Sequence, residues 1–257
     1  MKRIGLFFIA LALAGSARAE IRTETVEYKQ GDATLEGFHA YDDSIAGKRP
    51  GVLIVHQWKG LGNYEKKRAE MLAKLGYNVF AADIYGKGIR PATPKEAGGL
   101  AGKYKADRAL LRERVKAGLD ALRKSELTDA KKVAAIGYCF GGTTVLELAR
   151  SGADVAGVVS FHGGLSTPNP ADAKNIKGKV LVLHGADDPN VRPEVPGFEE
   201  EMRSAKVDWQ LVSYGNAVHS FSDWNAGTDN SKGAAYNEKA DKRSWQAMEQ
   251  FFVELFR

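Results

Sequence analysis

Six short, largely apolar runs divide the chain: Gly51 to His56, Asn78 to Ala82, Lys132 to Ile136, Val155 to Phe161, Lys179 to His184 and Trp209 to Tyr214. Their length and composition predict strands buried on both faces of a parallel sheet. Before them, Ala33 to Tyr41 alternates apolar with polar residues and predicts an antiparallel edge strand. Amphipathic stretches fill the intervals and predict helices at Tyr64 to Leu75, Tyr104 to Leu122, Thr143 to Arg150, Pro193 to Ser204 and Ala234 to Leu255. In the second of these, Leu110, Leu111, Val115, Leu119 and Leu122 share one stripe. Strands that alternate with helices imply the α/β class: a mostly parallel central sheet with helices on both faces. Ligands of such sheets sit beyond the carboxyl ends of the strands.

The extreme N-terminus does not fit this pattern. Lys2 and Arg3 precede an apolar core, Ile4 to Ala14, and Ala17-Arg18-Ala19 has the small-residue form of a cleavage site. Residues 1–19 therefore read as a secretory signal peptide and 20–257 as a single domain. The apolar core is too short for an ordinary membrane span, so no stable membrane insertion is expected after cleavage. The protein is expected to be periplasmic or secreted. Of the formal net charge of +5, three basic residues (Lys2, Arg3 and Arg18) belong to the leader. The remaining surplus is small and scattered, which argues against a nucleic-acid partner. The domain reads as a monomer.

Only one cysteine is present, so no internal disulfide can form. In an oxidising compartment a free thiol is a liability unless it is buried or has a task. Cys139 stands in Gly137-Tyr138-Cys139-Phe140-Gly141-Gly142, between an apolar run and a helix. Strand, sharp turn and helix with flanking glycines form the nucleophile elbow of α/β-hydrolases, here with cysteine in the serine position. Two further groups follow later strands: Asp187-Asp188 after Lys179 to His184, and His219 after Trp209 to Tyr214. The order nucleophile, acid, histidine is the one this topology requires. An imidazole accepts the thiol proton, and a carboxylate on its far nitrogen fixes the tautomer. Asp188 is preferred over Asp187 as that carboxylate. Backbone N–H groups of Phe140 and of Gln57 or Trp58 would hold the oxyanion. His56, His162 and His184 end strands and read as satisfied rim histidines; His39 reads as structural. No histidine pair has metal-ligand spacing and no second cysteine exists, so neither a metal nor another cofactor is expected.

With these residues in view, the chain resembles the dienelactone hydrolase family from about Tyr28 to Phe256. The matching stretches are Val52 to Gly60, Ala82 to Gly88, Gly137 to Gly142, His184 to Asp188 and His219-Ser220-Phe221. The resemblance implies an α/β-hydrolase fold, hydrolysis of a lactone or ester, and Cys139, Asp188 and His219 as the triad. It also exposes departures. The family's ring-opening enzymes carry a thiol-activating glutamate at the position of Gln57. They hold a substrate carboxylate with two arginines, where this chain has Lys87 and Asp223. Lysine lacks the bidentate fork of arginine, and aspartate repels an anion. A neutral or weakly charged ester, lactone or thioester is therefore the expected small-molecule substrate, with Gln57, Tyr85, Lys87 and Ser220 as candidate substrate contacts. Trp58, Tyr85, Phe140 and Trp224 are candidate pocket aromatics. Two other readings follow from the same residues: a binding protein of this fold that has lost turnover, and a thiol-based redox protein needing an outside resolving thiol.

Overall fold

The computed structural model describes residues 20–257. The leader read at residues 1–19 lies outside the described residues, and among those described no helix is long and apolar enough to cross a membrane. The first strand is β1 (Ile21–Gln30), paired antiparallel with β2 (Ala33–Asp42). Then come β3 (Arg49–Val55), α1 (Asn63–Lys74), β4 (Asn78–Ala82), α2 (Pro94–Ala106) and α3 (Arg108–Lys124). The second half comprises β5 (Thr128–Tyr138), α4 (Phe140–Arg150), β6 (Gly157–Phe161), β7 (Lys179–Gly185), α5 (Val195–Ser204), β8 (Trp209–Tyr214) and α6 (Glu238–Leu255). One eight-stranded sheet results, in the order β1-β2-β4-β3-β5-β6-β7-β8. From β4 to β8 every pairing is parallel. This is the mostly parallel sheet with helices on both faces that the sequence pattern predicts, and it matches the α/β-hydrolase fold.

Side-chain alternation splits the core in two. Leu53, Val55, Phe80 and Ala82 face α2, α3, α4 and α5, whereas Val52, Ile54, Val79 and Ala81 face α1 and α6. Each buried Leu, Val or Phe contributes about 1.5–3 kcal/mol of transfer free energy, so both helix layers stabilise the sheet between them.

Two expectations change. The alternating strand Ala33–Asp42 is not the edge, because β1 covers it. β1 itself is mostly exposed, with only Ile21, Val26, Tyr28 and Gln30 partly shielded, so its sequence lacks an apolar run. The single helix expected around Tyr104 to Leu122 is two helices. Asp107 ends α2 and caps α3: its N–H donates to Lys103 O at 3.1 Å, and its Oδ1 accepts from Leu110 N–H at 2.9 Å. That change of partner breaks the helix while leaving no backbone group wasted.

A buried charge network fixes the far end of α4. Arg150 is fully buried; its Nε and Nη2 donate to Glu201 of α5 at 2.8 and 2.7 Å, and its Nη1 to Glu147 at 3.1 Å. Nη2 also donates to Leu165 O at 2.8 Å, and Arg112 of α3 holds the other Glu147 oxygen at 2.7 Å. Each charge is paired and hydrogen-bonded, the condition under which such burial is tolerated.

Candidate active site

The turn between β5 and α4 carries Cys139 at φ 54° and ψ −111°, a left-handed conformation rare for a residue with a Cβ. Close packing leaves no room beside it. A Cβ on Gly137 would lie 2.0 Å from Gly141 O, and one on Gly141 would lie 2.1 Å from Val55 O. Only glycine satisfies both positions. Cys139 N–H donates to Phe161 O at 2.9 Å, which ties the elbow to β6. The sulfur ends up partly exposed above the sheet, at the N-terminus of α4.

Three side chains meet in line there. Cys139 Sγ lies 3.0 Å from His219 Nε2, and His219 Nδ1–H donates to Asp188 Oδ2 at 2.8 Å. The other Asp188 oxygen accepts from the N–H groups of Asn190 and Val191 at 2.9 and 3.2 Å. Asp188 is wholly buried, whereas Asp187 points to solvent. Burial alone pushes the Cys139 thiol up. The His219 charge, its hydrogen bond, the charge of Lys105 and the Phe140 N–H outweigh this and bring the thiol below its ordinary range. Burial likewise disfavours the His219 imidazolium, but the thiolate and Asp188 raise it to about 10. Asp188 is pushed up by burial and brought down further by His219 and the two N–H groups. Each of Cys139 and His219 shifts the other towards its charged form, so the sulfur and the ring titrate as a coupled pair.

The opposite side of Cys139 is built differently. Gln57, just after β3, is buried, and its backbone N–H donates to Glu65 Oε1 at 3.0 Å. That N–H is not an oxyanion donor, which corrects the expectation for Gln57. Its side-chain amide donates to Asp223 Oδ2 at 3.0 Å. Glu65, buried in the first turn of α1, also accepts Gly62 N–H at 3.0 Å. Burial raises its pKa against those two N–H groups, and Asp223 raises it further. Trp58 N–H has no partner among the described residues, nor does Phe140 N–H apart from the adjacent sulfur. Neither N–H is committed to a backbone carbonyl.

His56 is held at both nitrogens. Its Nε2 accepts Ile84 N–H at 3.1 Å, so the neutral ring carries its proton on Nδ1, which donates to Gln57 O at 2.6 Å. Burial lowers its pKa to about 4. His39 is structural, with Glu24 at 2.8 Å and Asn78 at 2.6 Å. His162 and His184 are less satisfied than expected, since the Nδ1 of each is buried without a partner among the described residues. His162 Nε2 meets Ser222 Oγ at 2.8 Å, and its ring packs edge-on to His219 at 5.4 Å.

Other expected contacts fall elsewhere. Lys87 is exposed and pairs with Glu27 on β1, following Gly86 at φ 132°. Tyr85 is buried, and its hydroxyl donates to Trp58 O at 2.9 Å, which fastens the loop. Ser220 adjoins His219 with φ 59° and is partly exposed. Trp58 packs towards Gly98 of α2. Trp224 is 40% exposed and stacks on Tyr64 and over Arg68. Sequence reasoning did not single out Glu65. Its only signal was the Gly-Asn-Tyr-Glu spacing of a capping box at the start of α1.

Comparison with known proteins places this geometry among relatives. The model of the dienelactone hydrolase family matches residues 35–256. A solved structure of a dienelactone hydrolase-like promiscuous phosphotriesterase from metagenomic libraries is 43% identical, with a TM-score of 0.88, covering 92% of this chain and 99% of that one. Another, named m3DLH, is 40% identical with a TM-score of 0.89 and the same coverage. A protein of Aquifex aeolicus provisionally named a carboxymethylenebutenolidase is 26% identical over 89% of this chain and 97% of its own length.

Proposed function

This chain belongs to the dienelactone hydrolase family, and from that premise we propose that it cleaves a carboxylic ester, lactone or thioester through an acyl-thioester on Cys139. The observation that carries this reading is the unbroken line Cys139 Sγ–His219–Asp188, at 3.0 and 2.8 Å. The thiolate attacks the carbonyl carbon, a C–S bond forms, and the π electrons move to oxygen. Phe140 N–H and Trp58 N–H receive that oxyanion, each donor lowering the barrier by about 3 kcal/mol in comparable chemistry. Collapse expels the alkoxide, which takes the proton of the His219 imidazolium. Acylation removes the thiolate, the main group that holds His219 at about 10. The ring pKa then falls, and neutral His219 takes a proton from water as it attacks the thioester. The acid leaves, and the thiolate–imidazolium pair returns. Ester and water have become acid and alcohol.

The substrate side favours an uncharged acyl group. Asp223 and Glu65 lie on the Gln57 side, and Lys87 is turned away to Glu27. We assign the work of the enzyme to the periplasm or the exterior, on the strength of the leader at residues 1–19, and to a monomer. A phosphotriester is a second candidate electrophile, because the name of the 43%-identical structure gives that activity to that protein. One experiment tests the reading: intact mass after brief mixing with p-nitrophenyl acetate, beside C139A and H219A. An acetyl adduct at Cys139, with turnover lost in both variants, is expected. Turnover retained in C139A would sink the proposal. A stable adduct without turnover would mean that the thiol attacks but water does not follow, whereas no adduct on a reduced, accessible Cys139 would favour the binding-protein reading; diethyl p-nitrophenyl phosphate in the same assay reports on the second electrophile.

A further inference from the structure

We propose that His56 is a positioning residue for both oxyanion donors, an assignment that rests on the hydrolase reading above. A peptide unit is planar and trans, so its C=O and N–H point in opposite directions. The Gln57–Trp58 peptide is held by its carbonyl: His56 Nδ1–H donates to Gln57 O at 2.6 Å, with Gly60 N–H at 3.2 Å on the same oxygen. Fixing that oxygen aims Trp58 N–H the other way. On the far side of the same residue, Tyr85 OH holds Trp58 O at 2.9 Å.

The second donor touches the same ring. Phe140, whose N–H begins α4, stacks on the His56 imidazole with centroids 5.8 Å apart and planes at 22°. Tyr85 meets the imidazole edge-on at 4.7 Å. The ring cannot turn to another partner, because Ile84 N–H occupies Nε2 and the residue is fully buried. A single neutral imidazole thus locks the tilt of one donor peptide and packs under the residue that supplies the other. It does not contact substrate, and Gln57 N–H, the alternative donor in this loop, is committed to Glu65. Preorganised donors of this kind act because they need no reorganisation when charge develops.

The test separates oxyanion binding from thiol reactivity. Alkylation of Cys139 by iodoacetamide needs the thiolate but forms no oxyanion; acylation by p-nitrophenyl acetate needs both. In H56F the acylation burst should slow by about 30- to 100-fold, on the scale of a weakened oxyanion donor, while alkylation, which depends chiefly on His219 and only slightly on Phe140 N–H, falls far less. H56N places an amide N–H where Nδ1 was and should recover most of the burst rate. H56Q, whose amide matches Nε2, should not. If H56F does not fold, the contrast between H56N and H56Q carries the test. Equal burst rates in all variants, or acylation and alkylation falling together, overturn the assignment. An unsubstituted protein that alkylates normally but never acylates overturns the hydrolase reading itself, and this assignment with it.

Discussion

Asp188 and Glu65 are two buried carboxylates on opposite sides of one thiol, and each accepts two backbone N–H groups. They titrate in opposite directions. Asp188 falls below the ordinary range because the His219 imidazolium adds to its N–H partners. Glu65 rises because burial outweighs its N–H partners and Asp223 is a like charge nearby. Two N–H dipoles therefore do not by themselves bring a buried carboxylate below its ordinary range here; the neighbouring cation sets the direction of the Asp188 shift. One side of Cys139 is built to carry charge through a reaction cycle. The other is built to keep a loop in place.

Breaking the charged side should have the largest effect. H219A and C139A are expected to lose about 10⁴-fold or more in kcat/KM on any accepted ester, as removal of either member of such a pair does. Removing only the cation's support comes next. D188N should lower acylation by about 10⁴-fold at most and move the pH limb of iodoacetamide alkylation upward. The sign follows from the linkage: without Asp188 the imidazolium is less stable, so the thiolate it supports forms only at higher pH. A limb that stays in place would detach Asp188 from thiol activation.

The loop side can be given a further charge. Q57E puts a carboxylate against Asp223 Oδ2, where the glutamine amide now donates. It should destabilise the fold by about 1–2 kcal/mol above the carboxylate pKa range. D223R should offset most of that in the double variant, giving a coupling of about 1 kcal/mol in a double-mutant cycle of urea unfolding. Additive losses would mean that the two side chains do not sense each other.

The smallest effect tests the comparison most directly. Asp188, depressed when folded, contributes stability that is present above its ordinary value of 3.8 and lost as pH falls through the folded value. Glu65, raised when folded, works the other way: its contribution is present below its ordinary value of 4.5 and lost as pH rises through the folded value. Melting temperatures from pH 3 to 7 should thus rise more steeply with pH in E65Q and less steeply in D188N than in the unsubstituted protein. The E65Q difference should stay below about 1 kcal/mol. Parallel profiles would erase the distinction between the two carboxylates.

What could be read from the residues follows from how local each cause is. The bounds predicted for Asn78–Ala82 and Trp209–Tyr214 are those observed, since an apolar run between turn residues is a local signal. The elbow was legible because the crowding around Gly137 and Gly141 recurs wherever a nucleophile sits on that turn. β1 was not, because a polar edge strand resembles a loop until a partner strand is known. The side-chain partners of Gln57 and Lys87 were hidden for a similar reason. Sequence places them on the correct loops, but their side chains answer to Asp223 and Glu27, which lie 166 and 60 positions away. Glu65 escaped notice because its partner N–H belongs to a loop eight residues earlier and looks like an ordinary helix cap.

The buried Arg150 network carries a lesson for engineering. α4 begins at the nucleophile and is anchored eleven residues later by Glu147, Glu201 and Leu165 O. None of those anchors belongs to the loops that bring His219, Trp58 or Asp223. The sulfur's position is thereby insulated from the loops that would shape a leaving-group pocket. Libraries confined to residues 58–62 and 220–230 change substrate choice on a nucleophile whose footing is inherited intact.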